Sequence, residues 1–127
     1  MNENANALNW FEISVSDIDR ATKFYETVFA VKLEQREMLG AKMAMFPSAA
    51  MSGKVGGTLV QGPHNKPAMD GAKIYLNANP DVAGPLSRVE AAGGKILMPK
   101  TNIGEDIGYI AFIIDTEGNA VGMQSKD

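Results

Sequence analysis

The chain has no cysteine, one histidine and one tryptophan among its 127 residues. Without thiols there is neither a disulfide framework nor a thiolate metal site. A lone imidazole, His64, cannot build the multi-histidine sites that zinc, iron and nickel favour. The twelve basic residues are scattered and the net charge is −3, so the chain lacks the clustered Lys and Arg of a nucleic-acid footprint, and no nucleic-acid partner is expected. No apolar run approaches the ~20 residues of a membrane span, so no membrane partner is expected either. The first residues, Met1 to Asn6, lack the basic start and apolar core of a signal peptide, and the expected compartment is the cytoplasm. A length of 127 residues, 45% of them hydrophobic and 21% charged, fits one domain with a real core.

What is present is a pattern stated twice. Phe11-Glu12-Ile13-Ser14-Val15 and Ile74-Tyr75-Leu76-Asn77-Ala78 alternate aliphatic or aromatic residues with others, as half-buried strands do. Each runs into an Asp-containing turn and a helix-like stretch. Val31-Lys32-Leu33 and Gly94-Lys95-Ile96, where the two helices exit, keep the same 63-residue offset. A half-length repeat implies a duplicated unit about a pseudo-twofold axis, with a ligand expected where the halves face each other.

The pattern predicts strands near Trp10–Val15, Lys32–Met38, Lys42–Phe46 and Gly57–Gln61 in module one (about 9–62). A helix over Ile18–Phe29 is capped by Ser16 or Asp17, its apolar stripe being Ile18, Ala21, Tyr25, Val28 and Phe29. Gly62 to Gly71 reads as a linker. Module two (about 72–125) predicts strands at Lys73–Ala78, Lys95–Met98, Gly108–Ile114 and Ala120–Gln124. Its helix begins near Asp81–Pro85 and ends at Gly93-Gly94. Asp115 to Asn119 predicts a hairpin with Gly118 at positive φ. Neither half buries its sheet and helix alone, so the two must pair.

Because strand side chains alternate, Phe11, Ile13, Val15, Ile74, Leu76, Ala78, Val121 and Met123 are predicted to face the helices. The opposite face collects Glu12, Ser14, Lys73, Tyr75, Asn77 and Gln124, with Trp10 as an aromatic wall. This second face is either a pocket lining or a solvated outer surface.

Asn9-Trp10-Phe11-Glu12-Ile13-Ser14-Val15-Ser16-Asp17, with Arg20-Ala21 and Phe24-Tyr25, resembles the opening of the glyoxalase/bleomycin resistance/dioxygenase (vicinal oxygen chelate) superfamily. Arg88 to Lys95 and Ile114-Asp115-Thr116-Glu117-Gly118-Asn119 are similar to its later motifs, so the resemblance spans residues 9–125. It implies an α+β fold of two βαβββ modules whose eight strands form an incomplete barrel around a cavity, helices outside. It also implies metal ligands at positions that here hold Trp10, a residue within Gly57–Leu59, Lys73 and Gly122. None of these is a good ligand, so no metal or other cofactor is expected, and the metal-dependent lyase or dioxygenase chemistry of the superfamily is the alternative.

In place of a metal site, Trp10 offers a flat surface to a small molecule. Lys73 offers positive charge to an anionic group, unless it is a rim residue paired with Glu12. Glu12 is the candidate general base. Tyr75 and Tyr109 are candidate hydrogen-bonding groups, and the loop carrying His64 is a candidate cover. The resemblance implies a homodimer. Met38, Met43, Met45 and Met51, flexible thioethers, fit an adaptable contact surface in a dimeric interaction module as well as a pocket.

Overall fold

The computed structural model describes residues 1–48 and 52–127; Met51 lies outside them. The fold is α+β and repeats as the sequence does. Module one runs β1 (Trp10–Ser14), α1 (Ile18–Phe29), β2 (Glu34–Met38), β3 (Ala41–Met45) and β4 (Gly56–Gln61). Module two runs β5 (Tyr75–Asn77), α2 (Ala83–Leu86), β6 (Lys95–Asn102), β7 (Tyr109–Ile114) and β8 (Ala120–Ser125). Each makes a four-stranded sheet, ordered β1-β4-β3-β2 and β5-β8-β7-β6, with the first strand parallel to the last and the rest antiparallel. Equivalent bonds seal the two parallel pairs: Val15 donates to the Val60 carbonyl and Ala78 to that of Gln124, each at 2.9 Å. The eight strands thus form two sheets rather than one closed barrel, and no ladder joins them among the described residues.

Helix α1 starts where Asp17 turns extended and its carboxylate accepts from the Asp19 and Arg20 N–H groups, at 3.1 and 3.0 Å. Its buried set adds Thr22 and Phe24 to the predicted stripe, while Phe29 is half-buried. The stripe is wide because the helix is buried on two sides. Tyr25 meets Phe46 of its own module edge-on, whereas Phe24 packs against Gly94 of the other.

The second helix departs from expectation. Only Ala83–Leu86 is regular, and turns with mixed i→i−3 and i→i−4 bonds carry the chain to Gly94. Gly84, Pro85, Gly93 and Gly94 are poor helix formers, and tertiary bonds replace regularity. Arg88 Nε, for example, donates to the Val28 carbonyl of α1 at 2.9 Å. Strand β6 runs past the predicted stop at Met98 because it is an edge strand, where Pro99 sacrifices no ladder bond.

One core serves both modules, combining Ile13, Val15, Tyr25 and Leu59 with Ala78, Val89, Ile113 and Met123. The predicted helix-facing side chains of β1, β5 and β8 lie in it or pack against it. The β7–β8 hairpin fastens the modules together. Asp115, buried, accepts from the Tyr25 hydroxyl at 2.6 Å and from the N–H groups of Glu117 and Asn119 at 2.8 and 2.9 Å. Asn119 donates to the Ser14 carbonyl at 2.8 Å and accepts from the Ala68 N–H at 2.9 Å, tying in the linker. Glu117 accepts from the N–H groups of Ser16 and Asp17, each at 2.9 Å, and from Arg20 at 2.7 Å. Gly118 takes the predicted positive φ, 91°. No helix among the described residues is long and apolar enough to cross a membrane.

Candidate ligand-binding site

A cleft of about 850 Å³ opens at the junction of the modules. The start of β1 and the end of α1 wall one side of it, through Phe11, Phe29 and Val31. The stretch entering β5, Ala72 to Asn77, walls the other. Strands β1 and β5 are edge strands of their sheets, so the cleft opens where neither sheet continues. Its floor is a cluster of half-buried rings, Phe11, Phe29 and Phe46: Phe11 lies 5.6 Å from Phe46, and Phe29 is backed by the buried Tyr25, stacked on it at 6.4 Å. Phe11 is held flat on β4, since a Cβ at Gly57 would fall 2.4 Å from its ring. The floor is therefore preformed and apolar, with Lys73, Asn77 and Asn6 as the polar groups at its walls.

Of the seven predicted pocket and catalytic residues, Lys73, Tyr75 and Asn77 border this cleft, while Trp10, Glu12, Ser14 and Gln124 do not line it. The predicted second face is nonetheless a coherent surface. Trp10 and Glu12 are exposed on it and Ser14 is half-buried, its hydroxyl accepting from Asn65 Nδ2 at 3.3 Å. Glu12 does not sit in the partly apolar cavity that its role as a base called for. Lys73 does not pair with Glu12; its ammonium donates to the carbonyls of Met69 and, at 3.4 Å, Gly71, in the loop just before it. Local carbonyls are within reach of a side chain that starts two to four residues away. Tyr109 packs against the core with the Lys100 ammonium 4.4 Å above its ring. Lys100 is held there by Asp81 at 2.9 Å, and its hydrogen bond, with one from the Ala83 N–H, keeps the Asp81 carboxyl below the usual range. His64 is exposed in its loop, and Asn65 beside it is what reaches β1. Met38 is exposed and Met43 and Met45 are half-buried.

The second face has one fully organised feature. Tyr75, Gly122 and Phe112 are ladder partners across β5, β8 and β7, and the two rings meet edge-on at 5.3 Å. A Cβ at Gly122 would fall 2.7 Å from the Tyr75 ring. The missing side chain is what lets the tyrosine lie down. Gly122→Ala is expected to lift that ring and cost about 1–3 kcal/mol by overpacking. Chemical denaturation, with Tyr75 ring shifts by NMR, checks this; an unshifted ring would contradict it.

The positions that the resemblance implies for a metal do not fit one. Trp10 and Gly122 offer no donor atom, Lys73 brings a cation, and the hydroxyl of Thr58 donates to the Ala44 carbonyl at 3.0 Å. Any carboxylate at position 122 would collide with Tyr75. Among the described residues no three His, Cys, Asp or Glu side chains come together as a metal-holding group.

The family model of the Glyoxalase/Bleomycin resistance protein/Dioxygenase superfamily matches residues 7–123. The chain belongs to that superfamily. It is 29% identical over 118 residues to CFP32, a candidate glyoxylase of Mycobacterium tuberculosis, covering 91% of this chain and 44% of that one. Glyoxalase I from Zea mays superposes with a TM-score of 0.71 at 23% identity, over 93% of this chain and 45% of that one. TnmS3, an antibiotic binding protein from Streptomyces sp. CB03234, superposes with a TM-score of 0.62 at 18% identity, over 99% of this chain and all of that one. The chain thus spans less than half the length of CFP32 and of the maize enzyme. These structural likenesses establish the fold.

Proposed function

We propose that this chain is a small-molecule-binding member of the superfamily that works without a metal ion, and that its ligand lies in the cleft between β1 and β5. The observation that carries this is the preformed aromatic floor of Phe11, Phe29 and Phe46 beneath an 850 Å³ opening, coupled with positions 10, 57–59, 73 and 122 that do not suit a cation. Apolar walls with a few polar groups are the usual make-up of a ligand pocket of this size.

A homodimer in the cytoplasm is part of the same reading. Trp10, Leu97 and Ile107 are 42, 55 and 55% exposed, apolar surface that a second copy would cover. The longer relatives have room for two such domains in one chain, which two copies of this chain would match. A cysteine-free chain also needs no oxidising compartment.

The fluorescent probe 8-anilinonaphthalene-1-sulfonate is expected to bind in the cleft, with or without EDTA. Val55→Trp, which fills the cleft wall, is expected to weaken it by about tenfold or more, a loss of at least ~1.4 kcal/mol. Binding that EDTA abolishes, or one equivalent of Ni, Zn, Fe or Mn per chain by elemental analysis, would restore the metal-dependent lyase or dioxygenase reading. No binding at all, with a melting point that rises with protein concentration, would favour the interaction module without ligand chemistry.

A further inference from the structure

The rings of Tyr75 and Phe112 and the amides of Asn77 and Gln124 form two parallel rows on one sheet face. Tyr75, Gly122 and Phe112 make the first, Asn77, Gln124 and Ile110 the second. Rows two residues apart along a strand lie roughly 7 Å from each other, about the width of a fused bicyclic ring system. Tyr75 is 50% exposed, yet its ring is fixed from beneath by the bare Gly122 backbone and from the side by Phe112. An aromatic surface held rigid before binding loses little rotamer freedom when a ligand covers it.

The amides are fixed as well. Asn77 Oδ1 accepts from the Asn79 backbone N–H and from Asn79 Nδ2, each at 2.9 Å. Its own Nδ2 makes no hydrogen bond among the described residues. Gln124 Nε2 donates to the Ile107 carbonyl at 2.7 Å and the Ser125 carbonyl at 3.2 Å. Its Oε1 accepts no hydrogen bond among the described residues. One free donor and one free acceptor thus sit on neighbouring strands beside the aromatic row.

Building on the cleft reading, because Tyr75 and Asn77 border that cleft and Gln124 sits beside Asn77 on β8, just outside its lining, we propose that the ligand extends from the cleft onto this face and is a planar aromatic molecule whose edge carries a carbonyl acceptor beside an N–H donor. Its face stacks on Tyr75, its carbonyl accepts from Asn77 Nδ2 and its N–H donates to Gln124 Oε1. Lactam-bearing heteroaromatics have this pattern. Aliphatic chains and saturated rings do not.

The test uses 2-quinolinone, a planar bicyclic lactam, and its fully saturated bicyclic counterpart, which keeps the lactam and loses the flat ring. Binding is followed by saturation-transfer NMR and by titration of Tyr75 ring shifts. The planar lactam is expected to bind at least about tenfold more tightly than the saturated one. Tyr75→Leu is expected to weaken it by roughly three- to tenfold, the range of one aromatic contact, while Tyr75→Phe retains binding. Gln124→Leu and Asn77→Ala are expected to reduce the preference for the lactam over naphthalene. Equal affinity for the planar and saturated lactams, or unchanged binding in Tyr75→Leu, overturns the proposal. The anilinonaphthalene probe separates the two levels: if it binds and 2-quinolinone does not, the ligand class is wrong and the cleft stands. If neither binds, both fall.

Discussion

Replacing Asp115 with alanine is expected to destabilise the protein by about 3–5 kcal/mol, more than any other single change in the hairpin that joins the modules. Asp115 is 4% exposed and its two oxygens accept from Tyr25, Glu117 and both nitrogens of Asn119. Alanine leaves the buried Tyr25 hydroxyl and the Asn119 amide without an acceptor, each at a cost of roughly 1–3 kcal/mol. For a domain of this size the melting point should fall by about 10–20 °C. Tyr25→Phe removes one orphaned group, so the double variant should be less damaged than the sum of the singles by about 1 kcal/mol or more. Urea unfolding of the four proteins measures this. A loss below about 1 kcal/mol in Asp115→Ala, or strict additivity with Tyr25→Phe, would show that the network is not coupled as drawn.

The tyrosine adds a pH signature to the same cycle. Burial first, then the neighbouring Asp115 charge, raises the Tyr25 hydroxyl well above its ordinary range. A raised folded pKa contributes stability that is whole below the unfolded value, near 10, and falls as pH climbs past it. The alkaline decline should therefore be shallower in Tyr25→Phe.

Glu117→Gln is expected to cost about 2–4 kcal/mol near neutrality and to flatten the acid limb of the stability curve. The Glu117 side chain is fully buried. Burial alone would raise its carboxyl, but the hydrogen bonds from Arg20, the Asp17 N–H, Thr116 and the Ser16 N–H outweigh this and hold it below the usual carboxylate range. A depressed folded pKa contributes stability that is present above the unfolded value, about 4.3, and disappears as pH falls through the folded one. Glutamine cannot be protonated in that window and presents an N–H₂ group where one oxygen had accepted. Arg20 is half-exposed, with 52% of its side chain accessible, so its share should shrink in high salt while the backbone share persists. Urea midpoints measured from about pH 3 to 7 decide the matter. Parallel pH curves for the two proteins would mean that Glu117 is not the acid-sensitive group.

Much of the architecture was legible because it is local. Asp17 at the head of an apolar stripe gave α1 its bounds, and Asp115 to Asn119 gave the hairpin. Alternation alone sorted Ile13, Leu76 and Met123 to the core and Tyr75, Asn77 and Glu12 away from it. The contacts that align the modules were not legible, since Tyr25 to Asp115 and Ser14 to Asn119 join residues 90 and 105 positions apart. Pattern reading placed Phe11 on the helix-facing side, where it does pack against the core, but could not show its exposed edge. It is half-exposed at a cleft because both sheets end there, a fact of tertiary arrangement that no single-strand period carries. The second helix begins where predicted but is regular for only one turn, because its glycines and proline weaken a pattern that tertiary packing then completes in irregular turns. Lys73 was drawn toward Glu12 by charge, whereas carbonyls in its own loop were closer.

The intimacy of Tyr75 with the bare backbone at 122 also bears on how this lineage can change. Placing a carboxylate at that position meets an immediate collision, and trimming the tyrosine first leaves Phe112 without its neighbour. Each lone change therefore costs packing, so positions 75 and 122 can be altered without loss only together.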